Sequence, residues 1–387
     1  MSRFVYADNA ATTRMSDAVR AAMMPYLDTA YGNPSSVYQL GREARRTVDE
    51  ARDKIAAALG AQSDEIYFTG SGTESDNWAL RAVAASQAAR GKHIITSVVE
   101  HHAVTHTLQA LEKEGFSVSY LPVDEYGRIS LETLVDTIRE DTILISIMMG
   151  NNEIGTLYPV NEIGALARAR GVLFHTDAVQ AAGHVPIDVA AMQVDLMSLS
   201  AHKFHGPRGI GALYMRRGLR LPALITGGGQ EHGRRAGTEN VAGICGMAAA
   251  LQESVLRMGE TNDKVTALRD RLIACLTQIP RCRLTGDPVN RLPGIASFAF
   301  DCVEGEAMIL MLDAAGIAAS SGSACSSGSL DPSHVLLAIG LPHETAHGSV
   351  RFSFGEENTQ ADVDYIAEIF PPIVEKLRAM SPLWEGN

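Results

Sequence analysis

Seven short apolar runs punctuate this chain, at residues 66–69, 93–98, 117–121, 143–148, 172–174, 196–199 and 210–215. Runs of this length and composition read as buried strands. Helical stretches lie between them. Residues 41–59 combine alanine with long charged side chains and no proline, and Gly60 follows as a C-cap. Ser130 stands as an N-cap ahead of a helix over 131–140, and the helical run 161–170 stops at Gly171. This alternation implies an α/β domain with a mainly parallel sheet. Past about residue 250 the pattern changes. A long helix over 242–276 leads to shorter strands near 297–300 and 350–353, then to a closing helix over 361–380. That half reads as a smaller α+β domain. The expected division is a large domain over 15–255 and a small one built from 1–14 and 256–387.

A chain of 387 residues is long enough for two domains and a large core. Its 46% hydrophobic and 20% charged content is that of an ordinary globular protein, which excludes disordered and fibrous classes. The net charge of −12 argues against a nucleic-acid partner. No stretch is long and apolar enough for a membrane span, and the N-terminus lacks the apolar core of a signal peptide, so the expected location is cytoplasmic. The five cysteines are odd in number and form no C-x-x-C pair. That disfavours a disulfide framework or a zinc site, and no metal is expected.

Six segments carry chemistry. Lys203 sits just past an apolar strand, bracketed by Ser200 and His202 and followed by a Gly/Pro-rich turn. Partial desolvation lowers a lysine's pKa and lets it attack an aldehyde, as a Schiff-base lysine must; a surface lysine in a turn is the alternative. Asp177 ends a buried strand 26 residues earlier. A carboxylate there suits the ring nitrogen of pyridoxal phosphate (PLP), with Gln180 one turn on to reach the ring hydroxyl; a helix N-cap is the alternative. The run 69–77, T-G-S-G-T-E-S-D-N, is a strand, a glycine-rich turn and a helix start, an arrangement that favours phosphate but is not a Walker sequence. His101 and His102 follow another strand, and either imidazole suits stacking and proton movement. Cys325 lies in a small-residue polar stretch, unlike Cys245 in its apolar run. A thiol in such a loop can approach a ligand and attack; an incidental loop cysteine is the alternative. Residues 227–240 crowd glycine with Arg235 and Thr238, as an anion site would need; a solvated loop is the alternative.

On these segments the chain resembles the cysteine desulfurases of the NifS/IscS group, fold-type I PLP enzymes of the class V aminotransferase family. The likeness runs from A-D-N-A-A-T-T at 7–13 and G-N-P-S-S at 32–36, through the lysine segment, R-A-G-T-E-N at 235–240 and S-S-G-S-A-C at 320–325, to S-P-L-W at 381–384. Residues 235–240 and 286–293 look more like the NifS branch. The resemblance implies a fold-type I architecture, with a mainly parallel large-domain sheet and a smaller α+β domain carrying the Cys325 loop. It implies that Lys203 is the Schiff-base lysine, Cys325 the persulfide carrier and His101 the ring-stacking histidine. Asp177 would pair with the pyridine nitrogen and Gln180 with the ring hydroxyl. Asn152 would touch cofactor and substrate. Gly72, Thr73, Ser200 and His202 would hold the phosphate, and Thr238 would reach the phosphate of the other subunit of a homodimer. Asn33 and Arg351 would clamp the substrate carboxylate, a task suited to guanidinium.

Three departures stand out. Tyr38 replaces a frequent histidine, the segment after Arg351 is more acidic than usual, and the chain stops at Asn387 without the longer tail that helps some members dock an iron–sulfur scaffold. The implied activity is conversion of L-cysteine to L-alanine. Sulfur would pass as a persulfide on Cys325 to an acceptor such as an iron–sulfur scaffold, where Cys325 would contact a nascent cluster. Selenocysteine lyase, an aminotransferase or β-lyase using Lys203 and Asp177 without Cys325, and a non-catalytic scaffold in a sulfur-transfer complex are the competing readings.

Overall fold

The computed structural model describes residues 3–322 and 331–384. Its centre is a seven-stranded sheet in the order Ile66–Thr69, Gly211–Met215, Leu196–Ser200, Leu173–Asp177, Thr142–Ser146, His93–Ser97, Ser117–Leu121. Gly211–Met215 pairs antiparallel with both neighbours, and every other pairing is parallel. The apolar runs are buried because both faces of the sheet are covered. Adjacent residues face opposite ways: Ile95 and Ile145 join the core on one face, Ile94 and Leu144 the core on the other. The first face is packed by helices Gln39–Leu59 and Val160–Arg170. The second is packed by Gly72–Gln87 and His102–Lys113. Gly60 and Gly171 close their helices in the left-handed conformation that a C-cap requires.

A separate core surrounds a three-stranded antiparallel sheet of Ser349–Ser353, Ile295–Phe300 and Cys282–Leu284. Helices Gly305–Ala314 and Gln360–Met380 cover it. Phe300 and Phe370 meet edge to face, 5.2 Å between ring centres. The strand Val5–Tyr6 pairs with Ile317–Ala318, so the first residues of the chain also join this core. The 36-residue helix Val241–Leu276 serves both cores: Ile244, Met247 and Leu251 pack in the first, Leu268, Leu272 and Leu276 in the second. No helix of the described residues is long and apolar enough to cross a membrane.

Helices Asp17–Leu27, His102–Lys113 and Gly305–Ala314 were not in the sequence reading, and one expected helix is shorter. The helix expected over 131–140 ends at Thr137. Ile138 turns extended, and the Arg139 N–H donates to Thr142 Oγ1 at 2.8 Å, which carries the chain into the next strand. The helix Asp17–Leu27 contains Pro25, a residue that interrupts helix interiors. Pro25 falls in the last turn, and the Ser16 hydroxyl caps the other end by accepting from Val19 N–H at 3.2 Å.

A buried ion pair fastens the glycine-rich segment 227–240 to the sheet edge. Glu231 accepts from Arg52 Nη1 and Nη2, both at 2.7 Å, and from Phe68 N–H at 2.9 Å. Both side chains are almost fully buried. Removing one partner strands a charge in the interior. Glu231→Ala is therefore expected to lower stability by about 3–5 kcal/mol in urea unfolding, and a loss below about 1 kcal/mol would contradict the pairing.

Candidate active site

Four parallel strands end on the same side of the sheet, and their loops surround one cavity of about 350 Å³. The carboxyl edge of an α/β sheet is where such folds place ligands. Asp177 ends its strand, and Lys203 closes the single 3₁₀ turn Ala201–Lys203 after Leu196–Ser200. His101 follows His93–Ser97 and Asn152 follows Thr142–Ser146. Ten of the predicted site residues line this cavity: Gly72, Thr73, His101, Asn152, Asp177, Gln180, Ser200, His202, Lys203 and Arg351.

Lys203 Nζ donates to the carbonyls of Ala10 and Ala11 at 2.7 and 2.9 Å. Gln180 Nε2 donates to the same Ala10 carbonyl at 2.9 Å. The N-terminal segment therefore closes one wall of the cavity. Asp177 is buried and accepts the Val179 N–H at 2.9 Å, so its turn-forming role and its place in the cavity coexist. Burial pushes its carboxyl up to about 6, against the Val179 hydrogen bond and the Lys203 charge. His101 caps the helix His102–Lys113, its Nδ1 accepting from Ala103 N–H at 3.1 Å. Burial, then the Lys203 charge, pulls its pKa down to about 4. At neutral pH the ring is uncharged, with its proton on Nε2.

Gly72 opens the helix Gly72–Gln87, whose first N–H groups and dipole favour an anion. A Cβ there would lie 2.6 Å from Val179 Cγ2 and 3.4 Å from Ser200 Cβ, so only glycine leaves the cradle open. His202 Nδ1 lies 3.2 Å from Thr12 Oγ1, and burial brings its pKa to about 4. Across the cavity, Arg351 reaches in from the three-stranded sheet. Its Nη2 donates to Asp8 Oδ1 at 3.0 Å and its Nη1 to the Asn152 carbonyl at 2.6 Å, while its buried Nε has no hydrogen-bond partner among the described residues.

Three predicted residues are not brought into this cavity. Asn33 is exposed, its Oδ1 accepting from Ser35 N–H at 2.9 Å. Thr238 is exposed in a separate hollow beside Arg235 and Gly70. Cys325 lies outside the described residues. The described residues flanking it meet the Arg351 wall. Ser320 exchanges backbone hydrogen bonds with Arg351 and donates its hydroxyl to Asp8 at 2.8 Å. Ser333 donates its hydroxyl to Glu153, next to Asn152.

Sequence reasoning missed several participants. The Ala10 and Ala11 carbonyls carry no side-chain signal. Asp76 also lines the cavity, one helical turn past Gly72, and that four-residue spacing was a usable signal. Glu100 is fully buried beside His101, and burial raises its carboxyl to about 8 although Ser97 Oγ and Met148 N–H both donate to it. Among the described residues no cluster of three or more histidine, cysteine or acidic side chains is arranged to hold a metal ion.

Comparison with known proteins follows this geometry. The pattern that defines the class-V aminotransferases (Aminotransferase class-V) matches residues 5–366. The chain is 53% identical over 382 residues to cysteine desulfurase IscS of Methanosarcina thermophila, covering 99% of this chain and 95% of that one. It is 51% identical over 388 residues to cysteine desulfurase IscS of Clostridium botulinum strain Hall, covering 100% and 98%. Among solved structures, a NifS-like protein superimposes with a TM-score of 0.92 at 38% identity, covering 97% of this chain and 100% of the other. The structure of SspA in complex with cysteine superimposes with a TM-score of 0.80 at 35% identity, covering 92% and 100%. A match along nearly its whole length, with relatives above half identity, makes this chain a member of the class-V aminotransferase family.

Proposed function

We propose that the chain is a PLP-dependent cysteine desulfurase, which converts L-cysteine to L-alanine and loads the sulfur as a persulfide on Cys325. The observation that carries this reading is the convergence of Lys203, the buried carboxyl of Asp177 and the neutral imidazole of His101 in one cavity, with Arg351 opposite. The residues present fit the cofactor: the Gly72 cradle has no room for a Cβ, and it faces the strand end that carries Ser200. Lys203 would hold the cofactor's aldehyde carbon, Asp177 its ring nitrogen, Gln180 its ring hydroxyl and His101 its ring face. Gly72, Thr73, Ser200 and His202 would hold its phosphate, with Thr238 supplied from a second copy of the chain. When bound, PLP supplies an electron sink conjugated to the substrate's α-carbon.

The chain's own groups divide the remaining work. Arg351, with its unpartnered Nε, receives the substrate carboxylate, and Asn152 lies against it. Asn33 joins that clamp in the same proposal, from outside the cavity of its own chain. Lys203 Nζ moves the α-proton, since it is the amine in the cavity. Asp177, ionised above about pH 6, keeps the proton on the ring nitrogen. His101 offers Nε2–H as a donor. Sulfur transfer forms an S–S bond to Cys325 Sγ as the substrate C–S bond breaks with its electron pair left on carbon. Protonation of that carbon yields alanine, so no outside oxidant is needed. The flanks of Cys325 support this reading by fastening to Arg351 and Glu153.

In the same proposal residues 15–255 form the cofactor-binding domain, while 1–14 with 256–387 form the smaller domain that brings Arg351 and Cys325. The enzyme works as a cytoplasmic homodimer and passes its persulfide to an acceptor protein, for iron–sulfur assembly or other sulfur traffic.

After incubation with L-cysteine, mass spectrometry is expected to find one added sulfur on Cys325. Cys325→Ala is expected to keep bound PLP while losing alanine formation from cysteine. Alanine formation that survives the substitution would favour a β-lyase and contradict the persulfide route. The raised carboxyl of Asp177 sets a pH dependence. Holding the ring-nitrogen proton needs the ionised form, which is lost as pH falls through about 6. PLP affinity measured by visible titration is expected to weaken toward about tenfold per pH unit below that point. Asp177→Asn is expected to bind weakly at every pH, without this acid limb.

A further inference from the structure

Asp76 is 1% exposed, lines the cavity and sits one turn into the helix that begins at Gly72. Among the described residues its Oδ1 has no hydrogen-bond partner. Among the described residues the one cation-forming group paired with it is His175, whose Nε2 lies 3.6 Å from Oδ1. That imidazole is committed elsewhere: its Nδ1 meets Ser146 Oγ at 2.8 Å and its Nε2 meets Ser198 Oγ at 3.0 Å. Full burial pulls the pKa of His175 down to about 3, so it carries no charge to offset a carboxylate. The other titratable groups nearby are two acids, Asp177 and Glu100, together with His101 and Lys203. Lys203 is bonded to Ala10 and Ala11. Strands Ile66–Thr69, Thr142–Ser146 and Gly211–Met215, which also pack on this helix, carry no charged side chain. Glu74, on Asp76's own helix, is paired with Arg235.

The Lys203 charge favours ionised Asp177 and is not among the charges acting on Asp76, and two buried carboxyls in one wall do not both ionise when only one of them is offset. The structure also says which of them ionises first. Asp177 receives the Val179 N–H and the field of Lys203, while Asp76 has only the Ser198 hydroxyl favouring its charged form and keeps Oδ1 without a hydrogen bond among the described residues. We propose that Asp76 is a positioning residue for Asp177: it stays a neutral carboxylic acid and leaves Asp177 as the one carboxylate presented to the ring nitrogen. Burial, then the Asp177 charge, pushes the Asp76 carboxyl well above its ordinary range, in keeping with this assignment. The inference rests on the reading of Asp177 as the ring-nitrogen partner.

Infrared spectroscopy of the full chain tests it, with and without PLP. At pH 7.5 the wild type is expected to show a carboxylic-acid C=O band that shifts on ¹³C-aspartate labelling and is lost in Asp76→Asn. Labelling separates it from the acids of Glu100 and Glu153 and needs no variant. In the PLP-loaded wild type, raising the pH until this band disappears is expected to shift the cofactor's visible absorbance. Asp76→Asn is expected to hold that absorbance constant over the same range. Cofactor-free wild type is expected to lose thermal stability as pH rises from the acid side, because a carboxyl whose pKa is raised by folding stabilises only while protonated. The Asp76→Asn curve should lie above it at alkaline pH and approach it in acid. A wild type with no aspartic-acid band, or a band that persists in Asp76→Asn, would overturn the proposal. A wild type that shows the band but takes up no PLP would contradict the reading of the site, so the two failures are distinguishable.

Discussion

Parallel strands deliver their loops to one edge, and in this chain that edge decides where every reactive group stands. The strands ending at Ser200, Asp177, Ser146 and Ser97 are four consecutive parallel strands of the sheet, so the residues that follow them open onto a shared space. His101, Asn152, Asp177 and Lys203 are far apart in sequence and meet because the sheet's register leaves them no other place. The single antiparallel strand, Gly211–Met215, lies between Leu196–Ser200 and Ile66–Thr69 and so brings the Gly72 helix to the same edge. The smaller core closes the cavity from the other side, through Arg351 and its bonds to Asp8 and the Asn152 carbonyl.

The electrostatics of the cavity follow from burial rather than from ion pairing. Asp177, Glu100 and Glu153 all have carboxyls raised by desolvation, to about 6, 8 and 7. His101 and His202 are held neutral by the same cause. A low-dielectric wall that keeps most of its ionisable groups uncharged lets the few remaining charges act strongly on a ligand. Under the proposed function those charges orient an amino acid: a guanidinium would take its carboxylate and a carboxylate would face the coenzyme's ring.

Much of this was legible in the sequence because strand ends are. Apolar runs of three and four residues, at 172–174 and 196–199, located Asp177 and Lys203 near strand termini, and the family resemblance then set them apart from ordinary turn residues. The helices Gln39–Leu59, Val160–Arg170, Val241–Leu276 and Gln360–Met380 were found within a residue or two, since helical composition and, in the first two, a glycine cap are local signals. Partners that act at long range left no such trace. Nothing near Lys203 announces that its amine will meet the backbone of Ala10, or near Arg351 that Asp8 will pair with it. Asp76 was hidden by its setting, because an aspartate early in a helix reads as a solvated dipole partner until tertiary packing buries it. Asn33 and Thr238 were assigned by resemblance, and both lie outside the cavity of the single chain. In the proposed homodimer Thr238 acts from a second copy.

The central claim is that Lys203 is the covalent attachment point for PLP at the sheet edge. Borohydride reduction of the PLP-loaded chain, followed by peptide mass mapping, tests it most directly. The expected result is one pyridoxyl group, located on Lys203. Its appearance on another lysine, or on none, would contradict the assignment.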